Sequence, residues 1–272
     1  MKKDITTYAC IVAGMLLGLT GCKRAIEEYL KDNPTAEYGF CQLRQFNFRT
    51  SGTIGTQRGV EDTVVFTYNA HGDPVTGLRA KVSTGYPNFF FRYDRYDRLT
   101  DLIGGYGTDP TDPEFGGVEI WNRFKYDNKG NIVLDSMYTF PAVVDGHPAF
   151  STEFPSGIII KTYQYDSKDR IKRSTYGSSP LSFSVANYSY DAHGNLVGTP
   201  HDNKINFHRT NKIWMFLDAD YSVNNPLTAA YTYNDHELPV NIVPTSGTGM
   251  NFMDLGWTSL EYDRASVRYS CK

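Results

Sequence analysis

FKYDNKGNIV, from Phe124 to Val133, sets two aromatic residues either side of a lysine, then runs through Asp, Asn, Lys, Gly and Asn to Ile-Val. Alternation with period two puts Phe124 and Tyr126 on one face of a strand. The Asp127 side chain is placed to accept backbone N–H groups two residues on, and Gly130 allows the left-handed conformation that a tight hairpin needs. The stretch therefore encodes a strand, a turn and a return strand.

Six further segments share the pattern: FTYNAHGDPV from Phe66, FRYDRYDRLT from Phe91, YQYDSKDRIK from Tyr163, YSYDAHGNLV from Tyr188, YTYNDHELPV from Tyr231 and LEYDRASVRY from Leu260. Gly72 and Gly194 repeat the turn glycine; Asp97 and Asp169 take its place at some conformational cost, and Glu237 fits it poorly. Successive motif tyrosines stand 25 to 43 residues apart, room for a hairpin and a variable connection. A chain of 272 residues with 20 Tyr, 16 Phe, 24 Gly and 13 Pro has the strand-and-turn composition this repeat demands. Residues 24–32 (RAIEEYLKD) suit a short helix stopped by Asn33-Pro34, but beyond Tyr38 no segment sustains a 3.6-residue period. The expected fold is all-β: an antiparallel meander of repeated β-hairpins forming a strongly curved sheet or partly closed barrel, with one aromatic face inside. Open twisted sheets rarely exceed about ten strands, hence the curvature.

At the N-terminus, Lys2 and Lys3 precede an apolar run from Tyr8 to Leu19, too short to span a bilayer and suited to a signal peptide. It ends in Leu19-Thr20-Gly21-Cys22, which resembles the lipobox of bacterial lipoproteins. The resemblance implies that residues 1–21 are a signal peptide and that the Cys22 thiol carries a diacylglyceryl group. A second acyl chain, such as palmitate, on the new N-terminus would make the attachment stable. Residues 22–37 then form a lipidated tether with a short helix, and 38–272 a single hairpin-repeat domain. The expected location is the outer membrane, lipid-anchored, on its periplasmic or its cell-surface face.

The Tyr-Asp-x-x-Gly-Asn-(Leu/Ile) core resembles the YD repeat of Rhs and teneurin shells. Together with the lipobox, the stretch Trp214 to Ile242 is similar to uncharacterised outer-membrane lipoproteins of Bacteroidota. There an aromatic strand, an Asp-Tyr-Ser-x-Asn-Asn-Pro turn and a Tyr-Asn-x-x-Gly-Leu-Pro hairpin recur. Glu237 departs from that pattern, where Gly is expected. The resemblance implies architecture and compartment and carries no activity.

The residues of common catalytic signatures are missing: HExxH, a Gly-rich phosphate loop, GxSxG and CxxC do not occur. With 27 basic and 30 acidic residues there is no basic footprint for nucleic acid. His71, His193 and His236 occupy one turn position in three repeats, and that position is expected to face solvent. His201, Asp202 and His208 read as a polar connection. Asp109, Asp112 and Glu114 offer three oxygen ligands to calcium but read as a solvated rim loop. Asp218 and Asp220 mimic a glycosidase pair on a strand face and read as solvated too. Once Cys10 leaves with the signal and Cys22 is lipidated, Cys41 and Cys271 remain, free or joined in one bridge. A bridge would argue that the sheet closes.

Trp121, Trp214 and Trp257 each sit in a strand-like run, where they serve either the core or stacking on a sugar ring. The expectation is a cell-envelope lipoprotein that is not an enzyme and uses no cofactor or metal. It would act as a non-enzymatic binding or interaction module for an oligosaccharide or protein ligand, with the membrane reached through the N-terminal lipid. The alternatives are a structural scaffold of an outer-membrane assembly and a hydrolase with an unrecognised site.

Overall fold

The computed structural model describes residues 24–51, 53–54, 57–108, 117–152, 157–179, 182–245, 249–253, 255 and 260–272. Cys22, Asp109, Asp112, Glu114 and Trp257 lie outside the described residues, as does the signal segment.

Helix α1 (residues 24–32) is followed by β1 (Cys41–Thr50) and a small ladder of β2 (Thr53–Ile54) with β3 (Gln57–Arg58). Three hairpins come next: β4 (Glu61–Tyr68) with β5 (Pro74–Arg79), β6 (Asn88–Tyr93) with β7 (Leu99–Gly105), and β8 (Val118–Tyr126) with β9 (Ile132–Thr139). A side hairpin of β10 (Ala142–Val144) and β11 (His147–Ala149) precedes β12 (Gly157–Tyr165), β13 (Ile171–Ser179) and β14 (Ser182–Asn187). The chain then leaves the sheet through β15 (His201–Ile205), a 3-10 turn (Phe207–Thr210), helix α2 (Lys212–Leu217) and β16 (Asn224–Pro226). It returns as β17 (Ala229–Tyr233), β18 (Pro239–Pro244), β19 (Met250–Phe252) and β20 (Leu260–Cys271).

The main sheet has 14 strands, in the order β14-β13-β12-β9-β8-β7-β6-β5-β4-β1-β20-β18-β17, with β19 beside β20. The antiparallel meander is there, and the sheet is not closed into a barrel: β14 and β17 are its edges. Cys41 and Cys271 are bonded across a separation of 230 residues. The bridge does not close the sheet, because β20 inserts beside β1 on the side away from β4. The first and last strands of the main sheet in chain order thus pair inside it, and β14 and β17 remain its edges.

The repeat turns are built as their residues dictate. Asp127 Oδ1 accepts from the backbone N–H of Lys129 and of Asn131, both at 2.9 Å. Asn69, Asp94, Asp166, Asp191 and Asn234 each hold the same two bonds in their own turns. The left-handed slot holds Gly130 at φ 88°, and Asp97, Asp169 and Glu237 adopt it at 57°, 57° and 61°. Glu237 therefore keeps its hairpin undistorted, at the conformational cost of a side chain there.

A second regularity was not legible beforehand. In the three central hairpin units the motif tyrosine donates its hydroxyl to the carbonyl of the first residue of the preceding return strand. Tyr93 reaches Pro74 at 2.6 Å, Tyr126 reaches Leu99 at 2.8 Å and Tyr165 reaches Ile132 at 2.6 Å. These three units are thus pinned to the preceding hairpin at the turn end, whereas the Tyr233 hydroxyl donates to Asp202 instead.

Two of the seven units depart from the hairpin. Tyr188 to Val197 keeps its turn but is flanked by an isolated bridge, Tyr190 to Leu196, instead of a ladder. Leu260 to Tyr269 runs straight through as part of β20, and Asp263 makes a bidentate ion pair with Arg49 on β1 in place of a turn.

One face of the sheet is filled. Phe66, Phe91, Phe124, Ile242 and Tyr262 share a single core cluster with Phe207, Trp214, Met215 and Phe216. Strands far apart in the sheet thus wrap a plug made of the 3-10 turn and α2. Trp214 lies 5.1 Å from Phe66, 5.8 Å from Phe91 and 5.5 Å from Phe252, ring centre to ring centre.

Candidate functional site: a tyrosine-lined groove beside a buried plug

The plug begins where Asn206 and Asn211 cap its two short helical pieces, their side chains accepting from His208 and Ile213 N–H. It ends in DADYSVNNP, residues 218–226, whose polar side chains face inward. Asn225 Nδ2 donates to Ile205 O at 3.1 Å, Asn224 and Asn195 exchange two bonds, and Ser222 Oγ accepts from Leu196 N–H at 3.0 Å. Asn195 and Leu196 belong to the fifth repeat unit, so the Asp-Tyr-Ser-x-Asn-Asn-Pro motif fastens the plug to a turn that has no ladder of its own.

His208 and the two nearby carboxylates belong to this plug. The imidazole Nε2 lies 2.7 Å from Asp218 and Nδ1 lies 3.4 Å from Asp220. Burial opposes the charge on His208, but the two carboxylates overcome it and raise its pKa to about 9. Burial likewise opposes ionisation of Asp220, which the imidazolium outweighs, so its pKa is lowered. Asp218 and Asp220 flank a charged ring and share no strand face, which removes the glycosidase-pair reading. His208 is protonated at neutral pH and cannot take up a proton as a general base.

The tryptophan expectation is corrected for the two described rings. Trp121 is 2% and Trp214 0% exposed, so neither can stack on a ligand. Trp121 faces away from the plug, in a separate cluster with Phe90, Ile103 and Val118; its Nε1 donates to Asp101 at 2.8 Å. His71 meets Asp97 at 2.8 Å on the exposed rim, and His193 is exposed. His236 is the exception among the turn histidines. Its ring lies against the Cys41–Cys271 bridge, with the ligand atoms of all three residues within 4.8 Å of one another.

Between the plug and the β14 edge the filled face opens into a groove of about 480 Å³. Lys161 and Tyr163 on β12 and Ser174 and Tyr176 on β13 form one wall, each pair set two residues apart and so on one face. Tyr188 continues that wall, its hydroxyl 3.3 Å from Ser174 Oγ. Leu217, Asp218 and Ala219 of the plug stand opposite, with Asn251 of β19. Lys161 Nζ lies 5.5 Å from the centre of the Tyr176 ring. The period-two run of aromatic and hydroxyl residues on these strands was visible in the sequence; the opposing wall was not, because the plug read as a strand.

One perturbed acid lies behind the groove. Asp135 is 3% exposed, pairs in register with Lys161, and accepts 3.0 Å bonds from Asn122 Nδ2 at both oxygens. Burial raises its pKa to about 6, against the smaller opposing pull of Lys161 and Asn122. The folded protein therefore holds the proton more tightly than the unfolded chain, where a carboxyl titrates near 3.9. The stability from this carboxyl is complete below about pH 4 and is lost as pH rises through about 6. Asp135→Asn should accordingly raise stability at pH 8 by about 2–3 kcal/mol and leave it nearly unchanged at pH 4, read from urea unfolding at the two pH values. A gain equal at both pH values would contradict the assignment.

No family model matches the sequence, and no curated protein matches it significantly. Weak structural similarity links it to the crystal structure of TcdB2-TccC3-Cdc42, 14% identical over 71% of this chain and 10% of that one, with a TM-score of 0.24. The chain spans about a tenth of the length of that protein. It is also similar to a porin-like protein from Bacteroides uniformis ATCC 8492, 11% identical over 85% of this chain and 98% of that one, with a TM-score of 0.29.

Proposed function

We propose that the protein is a non-enzymatic binding module of the cell envelope whose groove takes an uncharged oligosaccharide. The observation that carries the reading is the groove wall itself. Tyr163, Tyr176 and Tyr188 line it together with hydroxyl, amide and ammonium groups from Ser174, Asn251 and Lys161. Aromatic rings among hydroxyl and amide groups, with one ammonium (Lys161) and one carboxylate already paired to His208 (Asp218), suit a polyhydroxylated ring better than an ion. Among the described residues, Asp218 in the groove wall is engaged by His208 and Met253 N–H, and Asp94, Asp127, Asp166 and Asp191 are engaged in turns.

Envelope attachment is part of the proposal, through lipidation at Cys22. Helix α1 starts two residues after that cysteine, and Leu30 within it is 1% exposed against the body. A lipid at Cys22 would thus hold the domain close to the bilayer, with no long linker.

Titration calorimetry of the full chain with mannan, β-glucan and xylan fragments tests the reading. At least one fragment is expected to bind the wild type, and Tyr176→Ala to weaken it about five- to thirtyfold, since stacking on one ring contributes on the order of 1–2 kcal/mol. Binding by none of the fragments, or equal binding by Tyr176→Ala, counts against it.

The free edge favours a second reading, the scaffold. β14 pairs on one side only, and Phe183 and Val185 on it are 45% and 47% exposed. A membrane partner that co-purifies after gentle detergent extraction, in the absence of glycan binding, would select it.

A further inference from the structure

Cys271, next to last in the chain, is exposed; Cys41, opposite it in the β1–β20 register, is buried. Exposed disulfides are the ones that thiols reach and reduce, whereas buried ones resist. His236 stands beside this bond because the β17–β18 turn folds over the end of the ladder. That turn is fixed twice, by the Asn234 side chain at His236 N–H (3.0 Å) and by the Tyr38 hydroxyl at His236 O (3.3 Å). The other two turn histidines have no sulfur among their ion-pair or metal-type partners.

We propose that the Cys41–Cys271 bond is a redox gate over a Zn(II) site. An external dithiol passes two electrons and two protons to the bridge and is itself oxidised to a disulfide. The freed thiols, with the His236 imidazole, then offer two sulfurs and one nitrogen from positions that lie within 4.8 Å of one another in the bonded state. Zn(II) displaces both thiol protons to solvent and is held by two thiolates and the neutral ring, with a fourth position open to water. Two sulfurs and an imidazole are a borderline-soft donor set that suits this d10 cation, and Cys2His with an open position is an established zinc geometry. In the oxidised protein the sulfur valences are occupied by each other and the site does not exist. The nine paired positions of β1 with β20 hold the two cysteines in register when the bond is open.

The test uses the full chain carrying Cys10→Ser and Cys22→Ser, so that the only thiols are the two in question. After reduction with a phosphine, Zn(II) is titrated against a chromophoric chelator, with circular dichroism to follow the fold. The reduced protein is expected to take up one Zn(II), the oxidised protein none, and the reduced His236→Ala variant to bind at least about a hundredfold more weakly. Absence of binding by the folded, reduced protein overturns the proposal, as does equal affinity in His236→Ala. A reduced chain that unfolds and is not restored by Zn(II) overturns it equally, because the site presupposes a ladder that survives reduction.

Discussion

Trp214→Ala is expected to lower the free energy of unfolding by about 3–5 kcal/mol. The ring is fully buried and touches Phe66, Phe91 and Phe252, which come from β4, β6 and β19. Removing it takes away the transfer energy of the largest side chain in the core and leaves a cavity between a sheet and a plug. Neither can collapse into it, since the sheet is held by its ladders and the plug by the Asn224–Asn225 bonds. Guanidinium unfolding followed by far-UV circular dichroism reads the loss. A change below about 1 kcal/mol would mean that the plug does not pack on the sheet as described. Exposed Tyr96→Ala, at 62% exposure, should stay within about 0.5 kcal/mol and serves as the control.

Arg209→Ala should cost about 3 kcal/mol or more and free the N-terminal segment. The guanidinium is 0% exposed and is held by carbonyl oxygens: Nη2 donates to Leu30 O at 3.0 Å, and Nη1 donates to Ala36 O at 3.1 Å and to Pro34 O. Leu30 lies in the last turn of α1, where exposed carbonyls favour a cation. Burial lowers the pKa of Arg209 to about 10, so it remains charged at neutral pH. Truncation leaves several carbonyls in a buried site without a donor, each at a cost of about 1–3 kcal/mol. Limited proteolysis gives an independent readout, with new cleavage expected between residues 30 and 38. Arg209→Lys should not restore protection, because one ammonium cannot span carbonyls that a planar fork reaches together. Unchanged proteolysis in Arg209→Ala would show that α1 docks by other means.

What the sequence made legible follows the range of the interactions involved. Each hairpin turn depends on residues within five positions of one another, and there the Asp or Asn and the left-handed slot were readable; only at Glu237, read as a poor fit, does the side chain adopt the slot after all. The plug was not. After the exposed Lys212, the run IWMFL is apolar on every side and buried from Ile213 to Phe216, but the helix is only six residues long, too short for a period to show, and its tryptophan read as part of a strand. The buried His208 network shares that cause, since two carboxylates flank the imidazole only once α2 has turned the chain.

The position of β20 is non-local in a stronger sense. It pairs with a strand more than 200 residues earlier, so nothing near Leu260 signals that the seventh motif runs on as a strand. The same insertion carries His236 to the bridge, and spacing along the chain gives no hint of it. Tyrosine tells both stories at once. In three units the motif tyrosine pins its hairpin to the preceding one through a carbonyl, and this structural duty takes up part of the aromatic surplus. Tyr176 lies outside the repeat motif and faces the groove.

The groove as binding site is the central claim, and hydroxyl-radical footprinting of the full chain with and without the tightest-binding of the glucan, mannan and xylan fragments tests it most directly. Protection is predicted at Tyr176 and Tyr188, with Tyr29 and Phe150, both more than half exposed, unchanged. Protection at Tyr29 or Phe150 in place of the groove tyrosines would contradict it.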